Sequence, residues 1–263
     1  MIYQQEFQVL SNRQITDNYY HLQLKCDKGF EIAMPGQFVM IRLSKNYYPL
    51  LRRPFSIHNL FENDNGDRCL ELLYKVIGKG TFALSEFQVN QKIDVLGPIG
   101  NGFCLKESVN KALLISGGIG VAPMLFLAKC LLNNGTQCHV INGGRTINDV
   151  LCTDIFQSLG VATHIYSDDG SVGTKAFVTD HLELFIKNQH PDIIYACGPN
   201  VMLSKVSLVA KQMNVPCQVS LESHMACGMG ACLGCAVPSD DSHKSYFHVC
   251  VDGPVFWSDQ VNL

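Results

Sequence analysis

Two rhythms of apolar and polar positions divide the chain. Up to about residue 105, apolar side chains alternate with polar ones in short runs broken by turn residues. Phe38-Val-Met-Ile-Arg-Leu43 follows the Pro35-Gly36 turn, Leu70, Leu72, Tyr74 and Val76 alternate with Glu71 and Lys75, and Ile93 and Val95 repeat the pattern before Gly97-Pro98. A period of two belongs to a strand with one packed face. A succession of such strands with little helical period predicts an antiparallel barrel over residues 1–105. A short helix is expected at Phe82 to Phe87. Over residues 106–216 the rhythm changes. Ala112-Leu-Leu-Ile-Ser116 reads as a strand and Gly117-Gly-Ile-Gly120 as a turn, after which apolar positions 121, 124, 125, 128, 131 and 132 share one helical face that stops near Gly135. Val140-Ile141, Thr163 to Tyr166 and Ile193 to Cys197 resume strands. Strand alternating with helix predicts a parallel sheet covered on both faces. Residues 217–263 form a short third unit. Asn63 to Gly66 and Ser239 to Lys244 read as hairpin tips.

Composition narrows the function. The chain has 263 residues, 47% hydrophobic and 16% charged, enough for two packed domains. A net charge of −3 supplies no basic field for a polyanion, which excludes a nucleic-acid-binding class. The first ten residues carry neither a basic nor an apolar signal region, so a cytoplasmic location is expected. The uncharged run Ala112 to Ala128, as long as any in the chain, is broken by Gly117, Gly118, Gly120 and Pro123, so it is not read as a membrane span. Of twelve cysteines, eight (Cys26, Cys69, Cys104, Cys130, Cys138, Cys152, Cys197 and Cys217) are scattered without pairing rhythm. In a reducing compartment these are expected to be small, mostly buried apolar residues.

The other four are concentrated near the C-terminus. Cys227, Cys232 and Cys235 follow the spacing C-x4-C-x2-C, and Cys250 comes after fourteen intervening residues. That opening spacing is the one used for plant-type [2Fe–2S] ligation, where four thiolates must converge on one small rhomb. Gly228, Gly230 and Gly234 suit the tight loop this requires, and no Asp, Glu, Lys or Arg stands between Glu222 and Asp240. A structural zinc site is the alternative reading, although only one C-x2-C pair is present. The fourth cysteine follows sooner than in a free-standing ferredoxin.

Two elements of the barrel suit a flavin dinucleotide. In Arg53-Pro54-Phe55-Ser56 the arginine offers a fork to a pyrophosphate, the ring a face for a flat heterocycle and the serine a hydroxyl for a ring nitrogen or ribityl oxygen. Leu73-Tyr74-Lys75 ends a strand, and Gly80-Thr81 opens a helix whose N–H groups suit an anion. In the parallel unit, Ser116-Gly117-Gly118-Ile119-Gly120-Val121-Ala122-Pro123 has the strand, glycine turn and helix of a dinucleotide site, with Pro123 where the usual fingerprint has a third glycine. Cys197-Gly198-Pro199 repeats the arrangement, and Asp168-Asp-Gly-Ser171 is expected on the same carboxyl edge.

Together with Gly97-Pro-Ile-Gly-Asn-Gly-Phe103 and Cys250-Val-Asp-Gly-Pro254, these motifs make the chain resemble the ferredoxin–NADP reductase superfamily over nearly its whole length. Within it, the chain resembles the electron-transfer subunits of NAD-dependent dihydroorotate dehydrogenase. The resemblance implies an FAD-binding barrel, an NAD-binding α/β domain and a C-terminal [2Fe-2S] subdomain. It implies a two-plus-two heterotetramer with an FMN-containing dihydroorotate dehydrogenase catalytic subunit, electrons passing through the cluster and FAD to NAD+ in pyrimidine (UMP) biosynthesis. Arg53 and Gly80-Thr81 would hold the FAD phosphates. No side chain need act as acid or base, so no catalytic residue is nominated. Flavin subunits of sulfide dehydrogenases and NADH–ferredoxin oxidoreductases are similar but tend to carry an aspartate at the position of Cys227. A zinc-tailed adaptor without enzymatic activity is the reading from a different class. Two positions depart from the family pattern: Phe55 stands for a tyrosine, and His224 for an arginine.

Overall fold

The computed structural model describes residues 2–26, 29–30, 32–43, 49–105, 108–240 and 244–263. Its first part is all-antiparallel: β1 (Tyr3–Thr16), β2 (Tyr19–Lys25), β3 (Phe38–Arg42), β4 (Arg53–Ser56), β5 (Asn59–Glu62) and β6 (Arg68–Lys75), then helix α1 (Lys79–Ser85) and β7 (Lys92–Ile99). These strands form one sheet in the order β4-β3-β7-β1-β2-β6-β5. The sheet curls until β4 meets β6, where the Phe55 and Tyr74 rings pack edge to face at 5.8 Å between centroids. Phe7, Leu22, Leu24, Val39, Ile41, Leu72 and Val95 fill the half-barrel so made.

The second sheet is built from β8 (Lys111–Gly117), α2 (Met124–Asn133), β9 (Gln137–Gly144), α3 (Thr153–Ser158), β10 (Ala162–Ser167), β11 (Thr174–Lys175), α4 (Leu182–Gln189), β12 (Ile193–Cys197), α5 (Asn200–Gln212) and β13 (Cys217–Ser220). A small hairpin of β14 (Ala236–Pro238) and β15 (Tyr246–His248) follows, and the last strand, β16 (Val255–Trp257), returns to the sheet. The strand order is β11-β10-β9-β8-β12-β13-β16, parallel throughout except for the antiparallel β13–β16 edge. The crossover order places the glycine turn after β8 and the Cys197-Gly-Pro199 turn after β12 side by side. The Asn63–Gly66 turn is the β5–β6 tip, with the Gly66 N–H donating to the Asn63 carbonyl. The other expected tip includes residues 241–243, which lie outside the described residues.

The structure differs from the sequence pattern in three places. Helix α1 begins at Lys79, before Phe82, because the Thr81 hydroxyl accepts from the Ile77 and Gly78 N–H groups at 2.9 and 3.2 Å and so closes the turn early. The segment Gly118–Val121 is a single 3₁₀ turn, and α2 starts only after Pro123. Strand β6 is buried on both faces, since the α/β unit covers the side that carries Glu71 and Leu73.

That covered face holds a polar cluster. The Glu71 carboxylate accepts from Gln23 at 2.8 Å and Asn59 at 2.7 Å and faces His21 Nε2 at 3.3 Å. Burial pushes its pKa up, but these three partners outweigh burial and hold it at about 2. His58, 1% exposed, donates from Nδ1 to the Ala122 carbonyl at 2.6 Å, and burial drops its pKa to about 4. Both shifts destabilise the fold in acid. Between pH 6.5 and 4 the unfolded chain takes up a proton that folded His58 refuses. Between pH 4.5 and 2 the same holds for Glu71. Each contributes up to about 3 kcal/mol that is present above its window and lost as pH falls through it. Urea midpoints measured against pH should therefore fall from about pH 6.5 downward, and His58→Gln should flatten the segment above pH 4.5. An unchanged slope in the variant would remove His58 from this role.

Candidate functional site

The barrel separates two adjacent arginines. Arg52 is committed to structure: it donates to Asp94 Oδ2 at 2.7 Å and to the Asp94 and Met40 carbonyls. Arg53 bonds only the Leu51 and Arg52 carbonyls from Nη1, and among the described residues its remaining donors have no partner. Its chain lies across Gly80, where an added Cβ would stand 3.0 Å from Arg53 Nε. Arg53, Gly80 and Thr81 are thus brought together. Thr81 spends its hydroxyl on the helix start, donating to the Gly78 carbonyl at 3.1 Å. Pro54 and Ser56 are half-buried on β4, whereas Phe55, Leu73 and Tyr74 are buried. The Phe55 ring packs on Tyr74, whose hydroxyl donates to Asn12 at 3.0 Å.

Lys75 faces the α/β unit. It donates to Asp149 Oδ1 at 2.9 Å, and the Tyr19 hydroxyl donates to the same oxygen at 2.6 Å. Burial raises the Asp149 pKa, but these two donors pull it below the usual carboxylate range. The three side chains border a cavity of about 620 Å³ that runs from the barrel over the glycine turns. Gly117, Gly118, Gly120, Gly198 and Pro199 line it, as do Gly143, Gly144, Arg145 and Asp168 at the ends of β9 and β10. The two main turns touch backbone to backbone: a Cβ on Gly120 would lie 2.2 Å from the Cys197 carbonyl oxygen. Gly118 takes φ +55° with its open side toward the cavity. Pro123 caps α2. Cys197 is buried, which pushes its thiol up to about 12, so it acts as packing rather than as a nucleophile. Glu222 borders the cavity too; it keeps solvent exposure, and partial desolvation by the surrounding wall raises its carboxyl. Sequence reasoning missed Tyr19, Asp149, Arg145 and Glu222. For Asp149 and Arg145 the available signal was Gly143-Gly144, a third glycine turn on the same edge.

The four C-terminal cysteines are free thiols arranged in two pairs. Cys235 and Cys250 lie with their sulfurs 3.3 Å apart, and Cys227 and Cys232 are linked by the Cys232 N–H on Cys227 Sγ at 3.4 Å. Every sulfur receives a backbone donor: Met229 and Cys232 N–H on Cys227, Gly234 on Cys232, Cys250 on Cys235, and Gly230 on Cys250, at 3.2 to 3.5 Å. Burial raises the Cys227 thiol, yet the N–H groups of Met229 and Cys232 outweigh it and bring the pKa to about 7. Burial first, and the Cys235 sulfur second, push Cys250 up to about 12. Among the described residues no group of three or more His, Cys, Asp or Glu side chains is placed to hold a single metal ion. Two thiol pairs fit two irons instead, and the aimed N–H groups suit sulfide-bridged thiolates. Positive φ at Gly228 and Gly230 bends the loop, and Gly228 sits against Met40 of the barrel.

Residues 222–262 match the family described as the iron-sulfur cluster binding domain of dihydroorotate dehydrogenase B, and residues 114–207 match the oxidoreductase NAD-binding domain. A dihydroorotate dehydrogenase B (NAD(+)) electron transfer subunit from Desulforamulus reducens is 37% identical over 254 residues, 96% of each chain. Its counterpart from Listeria welshimeri is 40% identical over 262 residues, 99% of each. The chain belongs to this family of electron transfer subunits. Among solved structures, the NADH-dependent reduced ferredoxin-NADP oxidoreductase superposes with a TM-score of 0.84 at 29% identity, covering 97% of this chain and 89% of that one. A ferredoxin NADP+ reductase from Neisseria gonorrhoeae shares the fold, with a TM-score of 0.67 at 15% identity over 80% of this chain and 91% of that one. Like the fold neighbour and the matched families, the chain carries a half-barrel, a nucleotide-binding sheet and a cluster-binding segment. No helix among the described residues is long and apolar enough to cross a membrane.

Proposed function

We propose that this chain carries electrons from a dihydroorotate-oxidising, FMN-containing catalytic subunit to NAD+ in the cytoplasmic synthesis of pyrimidines, in a heterotetramer of two chains of each kind. The observation that carries this reading is the set of four thiols, each met by a backbone N–H, on a loop that leans on the barrel through Met40. When bound, a [2Fe-2S] cluster supplies one-electron transfer, and FAD supplies the exchange between single electrons and the hydride a nicotinamide needs.

The residues divide that work. In the barrel, residues 1–105, Arg53 is the guanidinium suited to a pyrophosphate, its Nε and Nη2 without a partner among the described residues, and Gly80-Thr81 present the first turn of α1 beside it. Ser56 offers a hydroxyl at the barrel edge, and Pro54 holds Arg53 in extended backbone. Buried Phe55, Leu73 and Tyr74 shape the wall behind. In residues 106–216, Gly117, Gly118, Gly120 and Pro123, with Cys197, Gly198 and Pro199, let a dinucleotide approach the backbone at the carboxyl edge of the sheet. Lys75, neutralised by Asp149, fixes the border between the two. In residues 217–263, Cys227, Cys232, Cys235 and Cys250 hold the irons.

Anaerobic purification followed by reconstitution with iron and sulfide tests the reading. Flavin absorption overlaid by broad red-brown bands, and a paramagnetic signal on reduction, are expected. A colourless zinc protein would overturn it. Co-purification with an FMN protein that oxidises dihydroorotate tests the partner, and recovery with a ferredoxin-reducing partner alone would overturn that part.

A further inference from the structure

Strand β3 packs on two different cores. Val39 and Ile41 belong to the half-barrel interior, whereas Phe38 and Met40 share a core with Cys235, Val249 and Cys250 of the C-terminal segment. The register sets Met40 opposite Pro54 and Phe38 opposite Ser56 on β4. Residues directly opposite share a face, so the face that meets the cysteine segment also carries two of the residues proposed for the flavin.

Met40 is fully buried and held in place. Its strand is paired on both sides, and the Arg52 guanidinium donates to its carbonyl at 3.4 Å. The side chain presses on Gly228, where an added Cβ would stand 2.7 Å from Met40 Cγ and 3.1 Å from Sδ. Gly228 lies between Cys227 and Met229, and the Met229 N–H is one of the two backbone donors on Cys227 Sγ. The thioether therefore backs the turn that aims this donor. The four thiols also differ in their contact with water. Cys235 and Cys250 are 3% and 2% exposed, whereas Cys232 faces solvent. Met40 belongs to the core on the dry side.

We propose that Met40 is a positioning residue for the cluster: by backing the turn at Gly228 and keeping water from the buried thiols, it holds the midpoint potential of the cluster down. The proposal rests on reading the four cysteines as [2Fe-2S] ligands. Reduction adds one negative charge beside the thiolates, and an apolar cover offers that charge no solvation. The oxidised form is favoured accordingly, so an electron that arrives is readily passed on to the flavin. Methionine suits the task because it fills an irregular gap without bringing a hydrogen-bond donor.

Potentiometric titration of the anaerobically reconstituted full chain, followed by the paramagnetic signal of the reduced cluster, tests this. Met40→Gln keeps the length of the side chain but brings an amide donor toward the thiols. It should raise the midpoint by about 59 mV, a tenfold shift in the ratio of reduced to oxidised cluster. Met40→Leu stays apolar and should leave the midpoint in place. Met40→Ala, a second variant should the amide fold poorly, makes room for water and should also raise it. A potential that stays put or falls in a folded Met40→Gln or Met40→Ala variant, even one with a lower urea midpoint, reduces Met40 to packing and overturns the assignment. A rise in Met40→Leu equal to that in Met40→Gln overturns it as well. A wild type that assembles no cluster overturns the reading of the cysteines, and the assignment with it.

Discussion

Cys232→Ser should leave NADH oxidation with an artificial acceptor such as ferricyanide intact while electron delivery to or from the partner subunit falls by roughly a hundredfold or more. Cys232 is the exposed member of the four, held by one N–H bond from Gly234, so its loss disturbs little of the surrounding packing. The residues proposed for the flavin and the nucleotide lie on other elements and are expected to keep their geometry. The discriminating readout is the pair of activities, supported by the spectrum: the red-brown absorption and the paramagnetic signal should weaken while the flavin bands persist. A variant that still serves the partner at the wild-type rate would show that the thiols are not on the electron path. Loss of both activities would mean that the cysteine loop supports the whole fold.

Gly120→Ala carries the largest expected effect on the nucleotide-binding unit. The new Cβ would lie 2.2 Å from the Cys197 carbonyl oxygen, 2.5 Å from its carbon and 2.7 Å from the Gly198 nitrogen. All three are backbone atoms, and Cys197 ends a strand paired with β8 on one side and β13 on the other. Neither turn can withdraw without breaking the sheet. A loss of roughly 2–3 kcal/mol in urea unfolding is expected from such overpacking, and a drop in NADH kcat/KM of about a hundredfold from displacing the site by an ångström. Gly118→Ala is the informative comparison. Its Cβ would meet only the Tyr19 hydroxyl at 3.9 Å, so the cost there is the strain of φ +55°, about 1 kcal/mol. Equal damage from both substitutions would refute the close-approach argument.

Periodicity reached the fold wherever one element decided its own conformation. Ile193 to Cys197 is legible because it is apolar throughout, as a central parallel strand must be, and the Gly117–Gly120 turn because only a close approach calls for so many glycines. Strand β1, fourteen residues long, went unread: its polar positions Gln4, Gln8, Ser11 and Asn12 are paired by distant side chains and strands, which a local pattern does not contain. Glu71 read as solvent-facing for the same reason; its partners come from β2 and β5 and its cover from the other unit. The cysteine site was the most legible, because its chemistry is carried by spacing within one loop. The site residues Tyr19 and Asp149 were the least legible, since they become neighbours only when the two sheets meet.

The C-terminal segment is stitched to both sheets. Strands β13 and β16 pair within the parallel sheet, while Asn101 at the end of β7 donates to the Val251 and Asp252 carbonyls at 3.1 and 2.8 Å. Hinging the two halves apart would have to tear one seam or the other. On the proposed reading, nucleotide exchange is expected to use the standing mouth of the cleft, with the thiol loop held at a constant separation from the barrel. Such a chain behaves as a fixed conductor rather than a swinging arm.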